Sequence, residues 1–244
     1  MNPSFETKHD LESDYALPEH WLLGEEGIYT ILHQAYVRRA VELVANAGAS
    51  NVLEVGCGDG WNAAQLVKAG MNVTGVDLSP RGIAFAKIFV PGARFLCKDI
   101  RDATAKQELP EPFDAALMIE VIEHIPPEDC VSVLKAVGGF LKPGGILLIT
   151  TPSTNMPLGH PHHYRHFTPE LLRGLVEEAG LRVEHVEGYG DAFWERKHRR
   201  VARWVSNRFY VIKPLIRWLD GLYRSRCVAT NLKTSHGIVL LARK

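Results

Sequence analysis

A chain of 244 residues, with 46% apolar and 23% charged residues and no formal net charge, has the composition of a globular enzyme that builds its core without disulfides. No apolar run approaches the ~18 residues that a membrane span needs, and the polar, acidic stretch 1–15 lacks the features of a signal peptide. The four cysteines form no CxxC pair, which argues against a zinc ribbon and favours a reduced, cytoplasmic protein.

The first fifty residues combine a polar stretch with one predicted helix. Residues 1–28 have a loop-like composition, with Trp21 and Leu22 as their main apolar anchors. From residue 28 to 47, apolar side chains recur at the spacing of an amphipathic helix, and Gly48 ends the pattern. We therefore expect an N-terminal helical segment within residues 1–50.

Strands and helices alternate along the rest of the chain. Apolar runs bounded by turn residues predict seven strands, at 51–55, 72–76, 93–97, 114–119, 145–150, 182–187 and 237–242. Helical patterns separate most of them, and Ser79 and Thr168 each precede a proline as helix N-caps. The alternation predicts a single α/β domain over residues 1–244, with a mostly parallel sheet, helices on both faces and a helical insertion before the last strand.

A glycine-rich turn follows the first predicted strand, in the sequence VLEVGCGDG of residues 52–60. Glycine lets the backbone turn tightly and approach a ligand, and the next helix offers free N–H groups at its N-terminus. The dinucleotide pattern GxGxxG requires a small residue at position 61, where this chain has Trp61. The turn therefore favours a ligand without a pyrophosphate over NAD.

Two aspartates follow the next two strands. Asp77 ends the second strand, where its carboxylate could accept hydrogen bonds from both ribose hydroxyls, and Asp99 follows the third, within reach of an adenine amino group. Ile100 could pack on the adenine ring. Either aspartate alone could equally cap a helix or a turn. Because open α/β sheets bind ligands at the carboxyl ends of their strands, the two together favour a ligand site.

Five segments follow one another along the chain, each at or next to a predicted strand: VLEVGCGDG, VTGVDLSP, KDI, FDAALMIEVIEHI and LKPGGILLIT. This series resembles the motifs of class I S-adenosylmethionine (SAM)-dependent methyltransferases over residues 50–180. The resemblance implies a Rossmann-like fold and a SAM site. In that site, glycine-turn residues line the methionine moiety, Glu54 supports its amino group, Asp77 holds the ribose and Asp99 the adenine. The implied cofactor residues are Glu54, Gly56, Cys57, Gly58, Asp77, Leu78, Asp99, Ile100, Ile119 and Glu120. The resemblance also offers Arg38 or Arg39 as a partner of the SAM carboxylate.

A group of acidic and histidine residues follows the fourth strand. If residues 120–124 turn helically, Glu120, Glu123 and His124 share one face and could bind a divalent metal. Oxygen ligands suit Mg²⁺, whereas histidine is tolerated by Mn²⁺, Fe²⁺ or Zn²⁺. The later segment HPHHYRH, residues 160–166, could supply His162 or His163 as a further ligand.

Three of these residues, Glu123, His124 and His163, are our candidate catalytic residues, and together with Glu120 they form the candidate metal site. The same residues have a simpler interpretation without a metal. Glu120 then lines SAM, and His124 packs locally or acts as a general base. The histidine-rich loop is then only a lid whose imidazoles are solvated.

The pattern ExxEH with a later histidine loop resembles the ubiquinone-pathway catechol O-methyltransferases. It is also similar to the small-RNA 3′-terminal 2′-O-methyltransferases, and in both groups these residues are tied to a divalent metal. The segment HHYRHFTPELL resembles the first group, before its sixth strand. This chain departs from both groups in a basic insertion at residues 191–226, and it lacks a separate RNA-binding domain.

The basic insertion holds ten Lys or Arg and three Asp or Glu residues, a local charge of +7 that the rest of the chain balances. Its apolar residues, among them Phe209, recur at near-helical spacing, and Pro214 predicts a division into two helices. A basic amphipathic helix suits an anionic membrane surface or a lipid-like substrate, and it also suits nucleic acid, which we rank lower. The interpretation that we favour is a helical lid over the acceptor pocket, which also contacts an amphipathic acceptor.

The sequence thus favours an O-methyltransferase that uses SAM, acts on a small-molecule, amphipathic or glycan-linked acceptor, and could use a divalent metal. An RNA 2′-O-methyltransferase and a non-catalytic SAM-binding scaffold are the alternatives. The expected location is the cytoplasm, with peripheral contact at the membrane if the insertion binds lipid.

Overall fold

The structure is a computed structural model that describes residues 15–22, 28–109, 112–205, 210 and 212–244. Its strands are β1 (Asn51–Val55), β2 (Asn72–Asp77), β3 (Arg94–Cys97), β4 (Phe113–Ile119), β5 (Leu141–Pro152), β6 (Arg182–Tyr189) and β7 (Gly237–Arg243). Its α-helices are α1 (Glu19–Leu22), α2 (Ile28–Asn46), α3 (Trp61–Lys68), α4 (Pro80–Phe89), α5 (Ala105–Glu108), α6 (Cys130–Phe140), α7 (Pro169–Glu178), α8 (Ala192–Val205) and α9 (Lys213–Arg226). A short 3₁₀ helix spans Ile122–His124.

The strands form one sheet in the order β3-β2-β1-β4-β5-β7-β6. Neighbouring strands from β3 to β5 pair in parallel, whereas β7 runs antiparallel to both β5 and β6. The predicted seven-stranded, mostly parallel Rossmann-like sheet is therefore confirmed. Its β5 is longer than predicted, because it begins at Leu141 and pairs there with Phe113 before a register shift.

Local capping signals account for two helix starts at the carboxyl side of the sheet. The Ser79 side chain accepts a hydrogen bond from the backbone N–H of Gly82, with Pro80 in the first turn of α4. The Thr168 side chain accepts one from the backbone N–H of Leu171 at the start of α7. Both caps agree with the sequence prediction.

The core lies on both faces of the sheet, because alternate residues of each central strand point to opposite sides. In β1, Leu53 packs into the cluster under α6 and α7, whereas Val52 packs into the cluster under α2, α3 and α4. Both side chains are fully buried. Burial on both faces explains why the central strands are nearly continuous apolar runs.

The insertion forms two helices, as Pro214 predicts. Pro214 lies in the first turn of α9, where a backbone N–H would have no acceptor within the helix, so its absence removes no hydrogen bond. The backbone N–H of Gly190 donates to the carbonyl of Cys227 over 2.7 Å, which joins the two ends of the insertion. Phe209, part of the predicted apolar stripe, lies outside the described residues, as do residues 1–14.

The predicted helical turn over residues 120–124 is only partly present, since the 3₁₀ helix begins at Ile122. Glu120 has a φ of 54°, in the left-handed region, so it stands outside the helix. Among the described helices, none is both long and apolar enough to cross a bilayer.

Candidate active site

The glycine turn after β1 lies directly against the chain that follows β4. Both Gly56 and Cys57 donate their backbone N–H groups to the carbonyl of Val76, at 2.8 and 3.1 Å. Gly56 has a φ of 76°, and a Cβ there would lie 2.4 Å from a methyl carbon of Val121. A side chain at this position would push the two strand ends apart, so the glycine is a steric requirement.

Asp77 joins the turn to the end of β2. Its Oδ2 accepts from the N–H of Gly58 and its Oδ1 from the N–H of Ser79, each over 2.8 Å. The next residue, Leu78, is partly exposed at the rim. The carboxylate predicted to bind the ribose thus lies at the same edge as the glycine turn.

Glu54 is a buried acid beside this turn. Its side chain is fully buried, and both carboxylate oxygens lack a hydrogen-bond partner within the described chain. Burial raises the pKa of Glu54 to about 8, and the charges of Asp77 and Asp59 add to the effect. The Asn62 side chain offsets this increase in part. A buried carboxyl group with so little compensation fits a cationic ligand group, such as the amino group of SAM.

The end of β3 presents Asp99 and Ile100. Asp99 accepts a pair of hydrogen bonds from the Arg101 guanidinium, which also contacts Asp129 at 3.0 Å. Burial alone would raise the pKa of Asp99, but the bonds from Arg101 outweigh it, so the pKa is lowered. Asp99 is therefore an ionised acceptor at the rim, and Ile100 beside it is buried.

The two arginines of α2 have different environments. Arg39 forms a pair of hydrogen bonds with Glu187 on β6, at 2.7 and 3.0 Å, whereas Arg38 is exposed. The same helix places His33 and Tyr36 in contact, with 2.6 Å between the imidazole Nδ1 and the phenol oxygen. Burial lowers the pKa of His33 to about 3, so its ring is neutral.

Part of the N-terminal stretch lies on the glycine turn. The Trp21 indole N–H donates to the carbonyl of Asp59 over 3.1 Å, and His20 contacts the Asp59 carboxylate at 3.2 Å. The Tyr15 hydroxyl would lie 2.6 Å from a Cβ on Gly58. These contacts cannot be read from the sequence, because a polar stretch has no repeating apolar pattern that would indicate which surface it packs against.

Glu123 lies in the 3₁₀ helix after β4 and is fully buried. Its Oε2 accepts from the Thr151 hydroxyl over 3.0 Å, while its Oε1 is buried without a hydrogen-bond partner in the described structure. Burial raises the pKa of Glu123 well above its usual range, and the nearby charge of Glu120 adds to the effect.

Glu123, His124 and His163 meet at one point. One side-chain ligand atom from each lies within 4.8 Å of the other two. The backbone N–H of Tyr164 donates to the carbonyl of Glu123 over 2.9 Å, which ties the histidine-rich loop to the 3₁₀ helix. Carboxylate and imidazole groups at this spacing can bind a divalent cation.

The histidine-rich loop packs its rings together around this point, mostly edge to face. The ring centre of His163 lies 4.6 Å from that of His124 and 4.4 Å from that of His160, and His162 packs on His160 at 5.5 Å. Burial lowers the pKa of His163 to about 3, and the neighbouring imidazoles contribute. The ring of His163 is therefore neutral, and its Nδ1 lies 3.0 Å from Nε2 of His166.

Glu120 is oriented away from the three-residue group. Its Oε1 accepts from the hydroxyls of Thr150 and Tyr189, each over 2.8 Å, and burial raises its pKa to about 7. The ring of Tyr36 lies 4.5 Å from that of Tyr189. Two buried tyrosines, neither of which the sequence assigned to the site, thus lie beside Glu120.

Residues 30–186 match the family described as a methyltransferase domain. The chain belongs to the SAM-dependent methyltransferase family. It is 31% identical to the ubiquinone biosynthesis O-methyltransferase of Xanthomonas euvesicatoria pv. vesicatoria over 202 residues, which cover 73% of this chain and 81% of that protein. The protein of the same name from Pseudomonas aeruginosa is 30% identical over 196 residues, covering 71% and 82% of the two chains.

Solved methyltransferases share the fold. The 1,6-didemethyltoxoflavin-N1-methyltransferase of Burkholderia thailandensis, solved with S-adenosylhomocysteine, gives a TM-score of 0.61 at 21% identity over 100% of this chain and 91% of that one. The magnesium protoporphyrin IX methyltransferase of Synechocystis PCC 6803 gives 0.63 at 16% identity, covering 98% and 99%. At these identities the likeness shows the fold alone.

In this methyltransferase the predicted cofactor residues lie at the carboxyl ends of the four strands from β3 to β4, which are adjacent in the sheet. Ile119, the last residue of β4, is buried next to Glu120. Of the four predicted metal ligands, the structure brings three together at 4.8 Å and holds Glu120 on Thr150 and Tyr189 instead. The assignment of individual residues to SAM stays a prediction.

Proposed function

We propose that this methyltransferase transfers the methyl group of SAM to a hydroxyl oxygen of a small molecule that carries a second oxygen next to it. We further propose that a divalent cation at Glu123, His124 and His163 assists the transfer. The observation that carries the proposal is the convergence of these three ligand atoms within 4.8 Å, at the strand ends that also carry the glycine turn.

The residues present fit a cation. Glu123 has a buried oxygen without a hydrogen-bond partner in the described structure, and its burial next to Glu120 disfavours its charge. A bound cation would compensate that charge, and two imidazoles would complete the set of protein ligands. One carboxylate and two imidazoles favour Mn²⁺ or a similar transition metal over Mg²⁺, which prefers oxygen ligands.

A bound cation would lower the pKa of the acceptor hydroxyl and fix two adjacent oxygens. The protein's own residues have two roles around it. The loop that carries His163 covers the carboxyl edge beside Glu123 and limits the access of water. The imidazole of His124 would hold the cation together with Glu123 and His163. The hydroxyl, whose pKa the cation would lower, then gives its proton to solvent. The oxygen then forms a bond to the methyl carbon as the carbon–sulfur bond breaks.

Buried aromatic side chains near the site also support an aromatic acceptor. The rings of Tyr36 and Tyr189 lie against each other beside Glu120, and both are buried. Aromatic side chains pack well against a planar ring. Relatives named as ubiquinone biosynthesis O-methyltransferases support O-methylation, and an amphipathic acceptor fits that name.

Binding of Mn²⁺ alone, followed by electron paramagnetic resonance, tests the cation site. The wild-type protein should bind one Mn²⁺ ion, and Glu123→Gln and His163→Ala should each weaken binding at least about tenfold. The matched control is His185→Ala, because this half-exposed histidine contacts Glu187 and lies on β6. Unchanged affinity in both site variants would refute the cation site.

Transfer of labelled methyl from SAM to 3,4-dihydroxybenzoate tests the reaction class. EDTA should abolish transfer while leaving SAM affinity unchanged, and Mn²⁺ should restore it. Full transfer in EDTA, lost only in His124→Ala, would show that His124 acts as a general base without a cation. Label found only on nitrogen acceptors would refute O-methylation.

A further inference from the structure

The two helices α8 and α9 form a helical hairpin, residues 192–226. Its closed end, where Val205 and Ile212 are hydrogen-bonded, lies near exposed large apolar side chains. Trp204 is 77% exposed and Trp218 is 61% exposed, the two highest values among the exposed large apolar residues of the hairpin. The backbone N–H of Ile212 donates to the carbonyl of Val205 over 2.9 Å, which closes this end of the hairpin. Most of the exposed large apolar residues of the hairpin lie toward the closed end: Val201, Trp204, Tyr210, Ile212, Leu215 and Trp218, with Phe193 at the opposite end as the exception.

The two helices repeat the same surface pattern. In α8, exposed Val201 precedes Trp204 by three residues, and in α9, exposed Leu215 precedes Trp218 by three. Residues three apart lie on one face of a helix, so each helix presents an aliphatic–tryptophan pair outward. The hairpin does not need these side chains for its own packing, since Val205, Ile216 and Leu219 fill its small core.

Charge on the hairpin is separated by face. Asp220 pairs with His198 at 3.0 Å between the helices, and both side chains are 6% exposed. Glu195 contacts His236 at 3.1 Å and lies beside Arg199, with a side chain that is 18% exposed. Asp191, just before α8, accepts from the backbone N–H of Phe193 at 2.8 Å. The insertion's three acidic residues are therefore all buried or half-buried and engaged in contacts within the protein.

Basic residues occupy the outward positions of the same two helices. The exposed ones are Arg196, Lys197, Arg200, Arg203, Lys213, Arg217 and Arg226. Arg200 and Arg203 flank the Val201–Trp204 pair, and Arg217 precedes Trp218. The outward surface thus combines tryptophan, aliphatic and cationic side chains, with no acidic side chain exposed among the described residues of the hairpin.

We propose that the outward face of the helical hairpin, at the described residues Val201, Trp204, Leu215 and Trp218, docks onto the surface of an anionic lipid bilayer. Indole rings favour the interface between headgroups and acyl chains, aliphatic side chains enter it, and arginine pairs with lipid phosphate. The exposed charges of the described part of the hairpin are all positive, which complements an anionic surface. Exposed Leu215 would bury apolar area in a bilayer, whereas the phosphate backbone of a nucleic acid would not cover it.

The opposite end of the hairpin packs on α2, where Leu32 contacts the cluster of Tyr223, Cys227 and Trp194. One turn further along α2 lies Tyr36, which packs on Tyr189. The proposed docking surface is therefore connected to this part of the site through two contacting elements, α9 and α2. The docking proposal itself does not depend on the identity of the acceptor.

Sedimentation of the whole protein with vesicles of phosphatidylcholine, with and without about one third phosphatidylglycerol, tests this inference. The protein should bind only the anionic vesicles, and raising NaCl should release it, because salt screens the attraction. Arg200→Glu with Arg203→Glu should lower the partition coefficient at least about tenfold. Trp204→Ala with Trp218→Ala should lower it by a similar factor and abolish the blue shift of tryptophan fluorescence on binding.

A matched control carries Lys87→Glu and Ile88→Ala on α4, a basic and an apolar residue that are both exposed far along the chain from the hairpin. This variant should bind vesicles like the wild type, and all three should keep wild-type SAM affinity, which verifies folding. Equal binding to neutral and anionic vesicles, or no loss in the two hairpin variants, would overturn the proposal. So would salt-sensitive binding of a short RNA without any binding of vesicles.

Discussion

The carboxylate of Asp77 accepts a hydrogen bond from the backbone N–H of Gly58 over 2.8 Å, so the end of β2 holds the glycine turn that follows β1. Its second oxygen accepts from the N–H of Ser79 at the same distance. One side chain thereby fixes both the turn and the start of α4, at the edge where the ribose is expected.

Replacing Asp77 by alanine should weaken SAM binding by roughly 1–3 kcal/mol, because charge-assisted hydrogen bonds are lost. Isothermal calorimetry measures this directly. Asp114→Asn is the matched control. The Asp114 carboxylate on β4 also accepts from two backbone N–H groups, those of Ser50 and Asn51 at the start of β1, but it lies at the opposite end of the strands. SAM affinity that is unchanged in Asp77→Ala would refute the ribose assignment.

Binding of SAM should release protons from Glu54. Its raised pKa of about 8 keeps it mostly protonated at pH 7 in the free protein, and a cationic amino group nearby would favour its ionised form. Calorimetry at pH 7 in phosphate and in Tris, whose ionisation enthalpies differ, counts the released protons. Up to about one proton should be released by the wild type and none from this site in Glu54→Gln. The exposed Glu108→Gln serves as control, and equal proton counts in all three proteins would contradict the assignment.

Asp114 should stabilise the fold in a pH-dependent way. The bond from Lys142 and the N–H groups of Asn51 and Ser50 hold its pKa far below the usual range. A lowered folded pKa stabilises the protein above the unfolded pKa of about 3.9, and this stability is lost as pH falls below it. Asp114→Asn should therefore cost about 1–2 kcal/mol at pH 7, and less at pH 3. Urea denaturation of both proteins at pH 7 and pH 3 measures the difference in their free energies of unfolding. A difference that is the same at the two pH values would contradict the prediction.

Local signals were enough to predict the strands, the caps and the cofactor edge. Ser79 and Thr168 act on their own helices within three residues, so the sequence alone identifies them. The order of strand ends follows from a parallel sheet. Hence the sequence alone places Asp77 and Asp99 at one edge.

Contacts between distant segments could not be predicted in this way. Arg39 meets Glu187 across 148 residues, and Tyr189 meets Glu120 across 69, so no spacing rule connects them. The left-handed backbone of Glu120 has no sequence signal either, because the residue is not glycine or asparagine. It removes Glu120 from the helical face on which a three-residue metal pattern was expected.

The two chain segments that lead into and out of the insertion are hydrogen-bonded to each other where the insertion begins and ends. Gly188 pairs with Thr230, and Gly190 bonds to Cys227, so the antiparallel ladder continues up to the point where the insertion leaves it. Lengthening a loop between two such fixed ends costs only about 0.6 kcal/mol per doubling. Evolution can therefore exchange this module for a longer, shorter or differently charged one, while Tyr189 and the cofactor half of the sheet stay unchanged.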